Sequence, residues 1–333
     1  MVTGLLVLTV FSTVLASSSN SLFGYWVAVE MVTFFVVPML NSSKLQSKEA
    51  MWEYFLVQSV GSSGFLASSL TGWSVFTLES AGFQEGALNS LSVAYVFLVL
   101  KIGLPPFHGW ALRLVESMSW AQVMIVLTLS KVAPLFGLWS IVPHCQGINS
   151  FILVLSTLVS IKGVIEESIR RAMVYSSVMN VAWVMLGMVV GPSYGAWLFL
   201  SYAVSMAGIV MVLDDKMITL LDAFELRYSS PGILWWVSMS TLSLIGFPPS
   251  LGFFSKLSAL KGLNSGESGG VIFIMYLLSM IHMMIYFWLF SSMVLGSKGC
   301  VRPSMNASYS SSMVAMLILL AIFTVISVIS QLI

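Results

Sequence analysis

Eleven predominantly apolar stretches, most of them close to the roughly 20 residues that a helix needs to cross about 30 Å of hydrocarbon, are separated along this chain by short polar connections. The stretches centre on Val2 to Ala16, Leu22 to Leu40, Met51 to Leu70, Leu88 to Leu104, Ser119 to Ile141, Phe151 to Ile161, Met173 to Val190, Tyr194 to Leu213, Gly232 to Leu251, Val271 to Met293 and Met313 to Ile333. The third is rich in serine and the sixth is short. With only 8% charged residues and 58% hydrophobic ones, against about 25% charged in an ordinary soluble domain, the chain reads as an all-α, polytopic membrane protein of about eleven transmembrane helices. The first stretch lacks the basic n-region of a secretory signal and is read as a span.

One of these stretches ends abnormally. The apolar run Leu88 to Leu100 closes on Lys101 and, four residues later, on Pro105 and Pro106. Proline has no backbone N–H and collides with the preceding turn, so the helix must kink or stop there. In lipid, carbonyls freed in this way are tolerated only inside protein or beside a water-filled cavity. The pattern occurs twice: Gly246-Phe247-Pro248-Pro249 repeats Gly103-Leu104-Pro105-Pro106, and Lys256 follows the second copy. Paired broken helices point to a transporter built from repeats.

Loop charges give the repeat a direction. The connections after even-numbered stretches hold Lys44, Lys48, Arg113, Lys162, Arg170, Arg171, Lys216, Arg227, Lys298 and Arg302, whereas those after odd-numbered stretches hold only Lys261 once Lys256 is counted with the broken ninth stretch. By the positive-inside rule the even connections, and with them the N-terminus, face the side of synthesis, and the C-terminus lies opposite. The Pro-Pro breaks sit in the fourth and ninth stretches, an odd offset, so the two copies run through the membrane in opposite directions. The expected organisation is a single transmembrane domain: two inverted five-helix repeats, 1–145 and 146–295, with broken helices at the Pro-Pro sites, then a loop and C-terminal helix over 296–333.

Net charge is only +1, so no global field invites nucleic acid or an acidic substrate. Cys145 and Cys300 are the two cysteines, too few and too far apart in sequence for a disulfide framework, a metal site or an iron–sulfur cluster. No phosphate loop, dinucleotide fingerprint, catalytic triad or metal-ligand spacing occurs.

The chemistry therefore falls to ionisable residues inside the apolar stretches. A charge near the bilayer centre costs about 2.5 to 3.5 kcal/mol on insertion scales, which makes such a residue a functional candidate by default. Four stand out: Glu30, Lys101, Lys131 and Lys256. Lysine suits proton relay because burial disfavours its charged form and a neighbouring carboxylate favours it; the alternative is a lysine that snorkels to an interface and anchors a helix end. Glu30 is the natural counter-ion, or else a protonated carboxyl bonded to a neighbouring helix. His108, just past the first break, suits either proton shuttling or capping of the exposed carbonyls. His282, among methionines, reads as packing, His144 as a loop residue, and the charge run Lys162 to Arg171 as a solvated face or partner contact.

Four strings then carry a family resemblance: LKIGLPPFHGW (Leu100 to Trp110), SKVAPLFGL (Ser130 to Leu138), IRRAMVYSSVMNVAW (Ile169 to Trp183) and GFPPSLGFFSKL (Gly246 to Leu257). In this order they resemble the subunit 2 family of animal mitochondrial NADH dehydrogenase, antiporter-like subunits of respiratory complex I. The resemblance implies a proton-translocating subunit in the membrane arm of NADH:ubiquinone oxidoreductase, in the mitochondrial inner membrane with its N-terminus in the matrix and its C-terminus in the intermembrane space. It implies other membrane-arm subunits as partners, and NADH, FMN, iron–sulfur clusters and ubiquinone held by partner subunits rather than by this chain. It also implies that Glu30, Lys101, Lys131 and Lys256 are the family's key charged positions. The family often carries histidine where this chain has Asn180, which argues against a fixed histidine relay there. An independent cation/proton antiporter and a purely structural membrane subunit remain the competing readings.

Overall fold

The computed structural model describes residues 2–19, 21–41, 45–77, 84–142, 145–210, 213, 231–247, 250–262, 270, 273–279, 281 and 286. Expectations that fall on Pro248, Pro249, His144, His282, Cys300, the tenth loop and the eleventh stretch lie outside the described residues, as does most of the tenth stretch. Among the described residues the regular structure is helical throughout, with no β-strand.

Among the described residues, twelve α-helices have bounds that can be followed. They are α1 (Val2–Ser18), α2 (Leu22–Met39), α3 (Leu45–Thr77), α4 (Gln84–Ile102), α5 (Gly109–Ser117), α6 (Trp120–Leu127), α7 (Leu129–Ile141), α8 (Gln146–Ser160), α9 (Ile169–Val190), α10 (Pro192–Val210), α11 (Pro231–Ile245) and α12 (Leu251–Gly262). Among the described residues five spans, Leu22–Met39, Trp120–Ile141, Gln146–Val164, Ile169–Val190 and Pro192–Val210, are long and apolar enough to cross a membrane. The serine-rich third stretch is no weak helix: α3 runs for 33 residues, about 50 Å at 1.5 Å per residue.

Two compact units divide the chain, Met1–Ser156 and Thr157–Ile333. In the first, α3 packs along α4, α2 and α5, while α7 packs on α4, α2, α1 and α6. In the second, α10 packs on α9, α11 and α12. Both are inverted in polarity relative to a water-soluble protein. Phe11, Phe23, Phe34, Phe151 and Trp235 point outward, each more than half exposed, while Gln58, Ser62, Lys101, Lys131, Ser156, Asn180, Ser240 and Thr241 are buried. A lipid surround explains this, since it solvates the aromatic exterior and leaves polar groups no partner except one another.

The two Gly-x-Pro-Pro motifs build the same helix end. At Gly103 (φ 76°) the N–H reaches Val99 and Leu100 carbonyls at 3.1 and 3.2 Å, and Leu104 N–H returns to Val99 at 3.2 Å. At Gly246 (φ 80°) the N–H reaches Leu242 and Ser243 at 3.0 and 3.2 Å, and Phe247 N–H returns to Leu242 at 3.1 Å. This pairing is the Schellman motif, in which a left-handed glycine turns the chain so that two orphan carbonyls find donors. The next turn is shared as well: Phe107 N–H bonds Leu104 O, and Ser250 N–H bonds Phe247 O, each at 2.8 Å. Glycine is required because other residues resist positive φ.

The fifth stretch is also interrupted, where the sequence carries neither glycine nor proline. Thr128 (φ −119°, ψ −72°) separates α6 from α7. Its hydroxyl bonds the Met124 carbonyl at 2.6 Å, Ser130 Oγ bonds Val126 O at 2.6 Å, and Lys131 N–H bonds Thr128 O, three residues back, at 3.1 Å. Pro134, inside α7, withholds the N–H that Ser130 O would have received. Side-chain back-bonding of this kind bends helices.

Candidate functional site

In the first unit the site is assembled by one face of α3. Gln58, Gly61 and Ser62 stand at spacings of three and four, and so share that face. Ser62 Oγ donates to Glu30 Oε1, while Thr33 Oγ1, one turn on from the glutamate in α2, lies 3.2 Å from Oε2. The carboxylate of Glu30 is thus held by two hydroxyls. Gln58 Nε2 donates to the Lys101 carbonyl at 2.9 Å, and the aliphatic stem of Lys101 runs over Gly61, where a Cβ would come within 2.5 Å of Lys101 Cγ.

Lys101 itself is 1% exposed, and among the described residues its Nζ has no hydrogen-bond partner. Glu30 is within electrostatic reach of that ammonium, but its hydrogen bonds go to Ser62 and Thr33. The structure therefore brings Glu30 and Lys101 into one neighbourhood without locking them together.

The break after Lys101 is closed from both sides. Trp110 Nε1 donates to Leu100 O at 3.2 Å, and Gln58 takes Lys101 O. His108 is the residue before α5, partly buried, at φ −79° and ψ −11°, and its side chain makes no cap to that helix. At the exposed edge, Arg113 of α5 pairs with Glu53 of α3, its Nε at 2.9 Å from Oε1.

Lys131, 3% exposed, sits in the first turn of α7, immediately after the Thr128 interruption. Tyr25 braces this segment: its hydroxyl donates to Ala133 O at 2.9 Å, made possible by Gly137, where a Cβ would lie 2.2 Å from the Tyr25 hydroxyl oxygen. Gln122 Nε2 reaches Leu40 O at 2.9 Å and Met39 O at 3.3 Å, closing the end of α2, while its Oε1 accepts from Ser119 N–H at 3.0 Å. α4, which carries Lys101, packs on α7, which carries Lys131.

In the second unit, Lys256 does not trail away from its broken helix. It folds back over it: Nζ lies 5.6 Å from the centre of the Trp183 ring, and a Cβ on Gly246 would stand 3.2 Å from both Cδ and Nζ. An ammonium over an indole face is an attractive cation–π contact. Ser255 and Ser201 share a hydrogen bond of 3.0 Å beside it in sequence, joining α12 to α10. Asn180, 8% exposed, donates to Ser176 O at 2.9 Å one turn back in α9. The run Lys162 to Arg171 forms a short 3-10 turn at Ile161–Val164, and Arg171 lies 3.6 Å from Glu166.

Sequence reasoning passed over Gln58, Gly61, Ser62 and Trp183. Gln58 and Ser62 were readable only as polar residues in a serine-rich stretch, though their placement with Gly61 on one helical face was a usable signal. Trp183 gives no sign in sequence of its contact with Lys256, 73 positions away (256 − 183).

The model of one transmembrane family, NADH:quinone oxidoreductase/Mrp antiporter, matches residues 19–281. The chain is 32% identical over 258 residues to the NADH-ubiquinone oxidoreductase chain 2 of Artemia franciscana, covering 75% of this chain and 77% of that one. It is 29% identical over 287 residues to the protein of the same name from Anopheles gambiae, covering 84% and 82%. Among solved structures, a chain of respiratory complex I from Thermus thermophilus superposes with a TM-score of 0.83 at 21% identity, covering 96% of this chain and 77% of that one. A chain of the Mrp complex from Dietzia superposes with a TM-score of 0.74 at 17% identity, covering 91% and 61%.

Proposed function

We propose, because this chain belongs to the NADH:quinone oxidoreductase/Mrp antiporter transmembrane family, that it is the antiporter-like subunit 2 of NADH:ubiquinone oxidoreductase and moves protons across the mitochondrial inner membrane. The observation that carries this reading is the burial of Lys101 and Lys131, with Glu30 and Lys256 half-buried, all four within the matched region 19–281. Ionisable groups are costly there and need a reason to be kept.

In this reading Glu30, Lys101, Lys131 and Lys256 pass protons, with His108 as the remaining candidate. The freedom of Glu30 and Lys101 from a mutual hydrogen bond suits a pair whose separation sets the proton occupancy of the lysine. A change of about 1.4 kcal/mol in their interaction alters the ratio of protonation states tenfold. NADH, FMN, iron–sulfur clusters and ubiquinone belong to partner subunits, and this chain carries no redox centre of its own; electron transfer elsewhere in the complex supplies the drive. The chain forms one transmembrane domain of about eleven helices, two inverted repeats over 1–145 and 146–295 followed by 296–333. Its N-terminus is in the matrix and its C-terminus in the intermembrane space, among other membrane-arm subunits and lipid.

The test is purification from native membranes followed by reconstitution. The expected result is copurification with the other complex I subunits, NADH-driven proton uptake by the assembly, and no transport by this chain alone. Transport by the isolated chain would favour a free-standing antiporter and overturn the proposal.

A further inference from the structure

The end of α4 leaves four carbonyls, those of Val99, Leu100, Lys101 and Ile102, without intrahelical donors of the ordinary kind. The turn at Gly103 answers Val99 and Leu100 through backbone N–H groups, and Trp110 adds a second donor to Leu100. Lys101 O is different. In a continuous helix its donor would be the N–H of residue 105, which is a proline and has none. The group that takes this place comes from another helix: Gln58 Nε2 of α3, at 2.9 Å, from a side chain that is itself 2% exposed.

Two further contacts lie on the same face of α3. Gly61 supports the Lys101 stem so closely that any Cβ would displace it, and Ser62 holds the Glu30 carboxylate. The backbone of the lysine, the stem of the lysine and the carboxylate opposite it are thus all referred to one rigid turn of α3. A bond to the Lys101 carbonyl is also a bond to the last turn of the helix, so it fixes the point from which the ammonium is swung.

We propose that Gln58, with Gly61, is a positioning element for proton transfer at Lys101: the Gln58 amide replaces the donor that Pro105 cannot provide and, through α3, sets the distance between Lys101 and Glu30. Gln58 itself carries no proton in the process. This rests on the proton-translocating reading above. It predicts that loss of the amide uncouples the lysine from its carboxylate while both ionisable groups remain in place.

Gln58→Met keeps the length and bulk of the side chain and removes the donor. Gln58→His restores a ring N–H at similar reach, and Gly61→Ala leaves the amide bond but pushes the Lys101 stem aside. Each variant is made in the full complex, quantified on native gels, and measured per assembled complex for protons moved per NADH oxidised, or for turnover where the two remain locked together. Gln58→Met and Gly61→Ala are expected to lower that quantity severalfold, and Gln58→His to recover most of it. A role confined to folding would instead reduce the amount of complex and leave the per-complex value unchanged. Normal per-complex pumping in either Gln58→Met or Gly61→Ala overturns the proposal, even where less complex is recovered. Lys101→Met separates the two levels: if it pumps normally, the proton-transfer reading itself fails, whereas reduced pumping in Lys101→Met with normal pumping in the α3 variants sinks only the positioning role.

Discussion

Glu30 and Lys131 sit in different surroundings, yet substitution of either should lower proton transport while the complex persists. Glu30 is held by Ser62 and Thr33, so Glu30→Gln keeps the shape and an oxygen for Ser62 while removing the charge that reaches Lys101. The expected result is a complex present at normal level on native gels with a lower proton yield per NADH, or lower turnover if coupling is tight; an assembled complex that turns over and pumps at the normal ratio would leave Glu30 only a structural role. Lys131 is buried in the first turn of α7, where a charge costs about 2.5 to 3.5 kcal/mol relative to an apolar side chain on insertion scales. Lys131→Met should therefore leave the amount of complex undiminished while proton transport falls. If the lysine served only to hold neighbours, the two measurements would move the other way, with less complex and intact pumping.

At the scale of elements, the helix ends at Gly103 and Gly246 are the features that sequence and structure share most closely. Their legibility came from chemistry that needs no partner: proline lacks a donor wherever it stands, and a glycine before it is free to turn the chain. The interruption at Thr128 was not legible, because it arises from hydroxyl back-bonds and a brace from Tyr25, none of which leaves a mark in local composition. Glu30, Lys101, Lys131 and Lys256 were found by the cost of burying charge, whereas Gln58 and Trp183 required knowing which carbonyl and which ammonium lay opposite them. The same distinction orders the glycines by tolerance. Gly246→Ala would force a side chain into φ 80° and against Lys256 Cδ and Nζ at 3.2 Å, a strain of about 1 to 3 kcal/mol that a flexible lysine can partly relieve by moving. At Gly252 a Cβ would stand 1.8 Å from the backbone oxygen of Ser243, which cannot yield without separating α11 from α12. Native-gel abundance and thermal stability of the complex should accordingly fall modestly for Gly246→Ala and severely for Gly252→Ala; equal tolerance of both would contradict the close approach of α12 to the end of α11.

For the molecule as a whole the open question is direction across the membrane, and it can be decided with the chain's two cysteines. Loop charge places the even-numbered connections on the side of synthesis, ten basic residues against one, and insertion follows such a bias when the charged connections are short. Cys300 stands two residues before Arg302 in the connection after the tenth stretch, so this topology assigns it to the matrix. Cys145 follows the fifth stretch and is assigned to the opposite side, but its thiol is buried, 6% exposed, and should react slowly from either side. A Cys145→Ser background removes even that signal. A membrane-impermeant maleimide added to the outside of intact mitoplasts should then leave Cys300 unmodified, and permeabilisation should allow the label in. Rapid labelling before permeabilisation would reverse the assignment of both termini, and with it the direction of the proposed proton path.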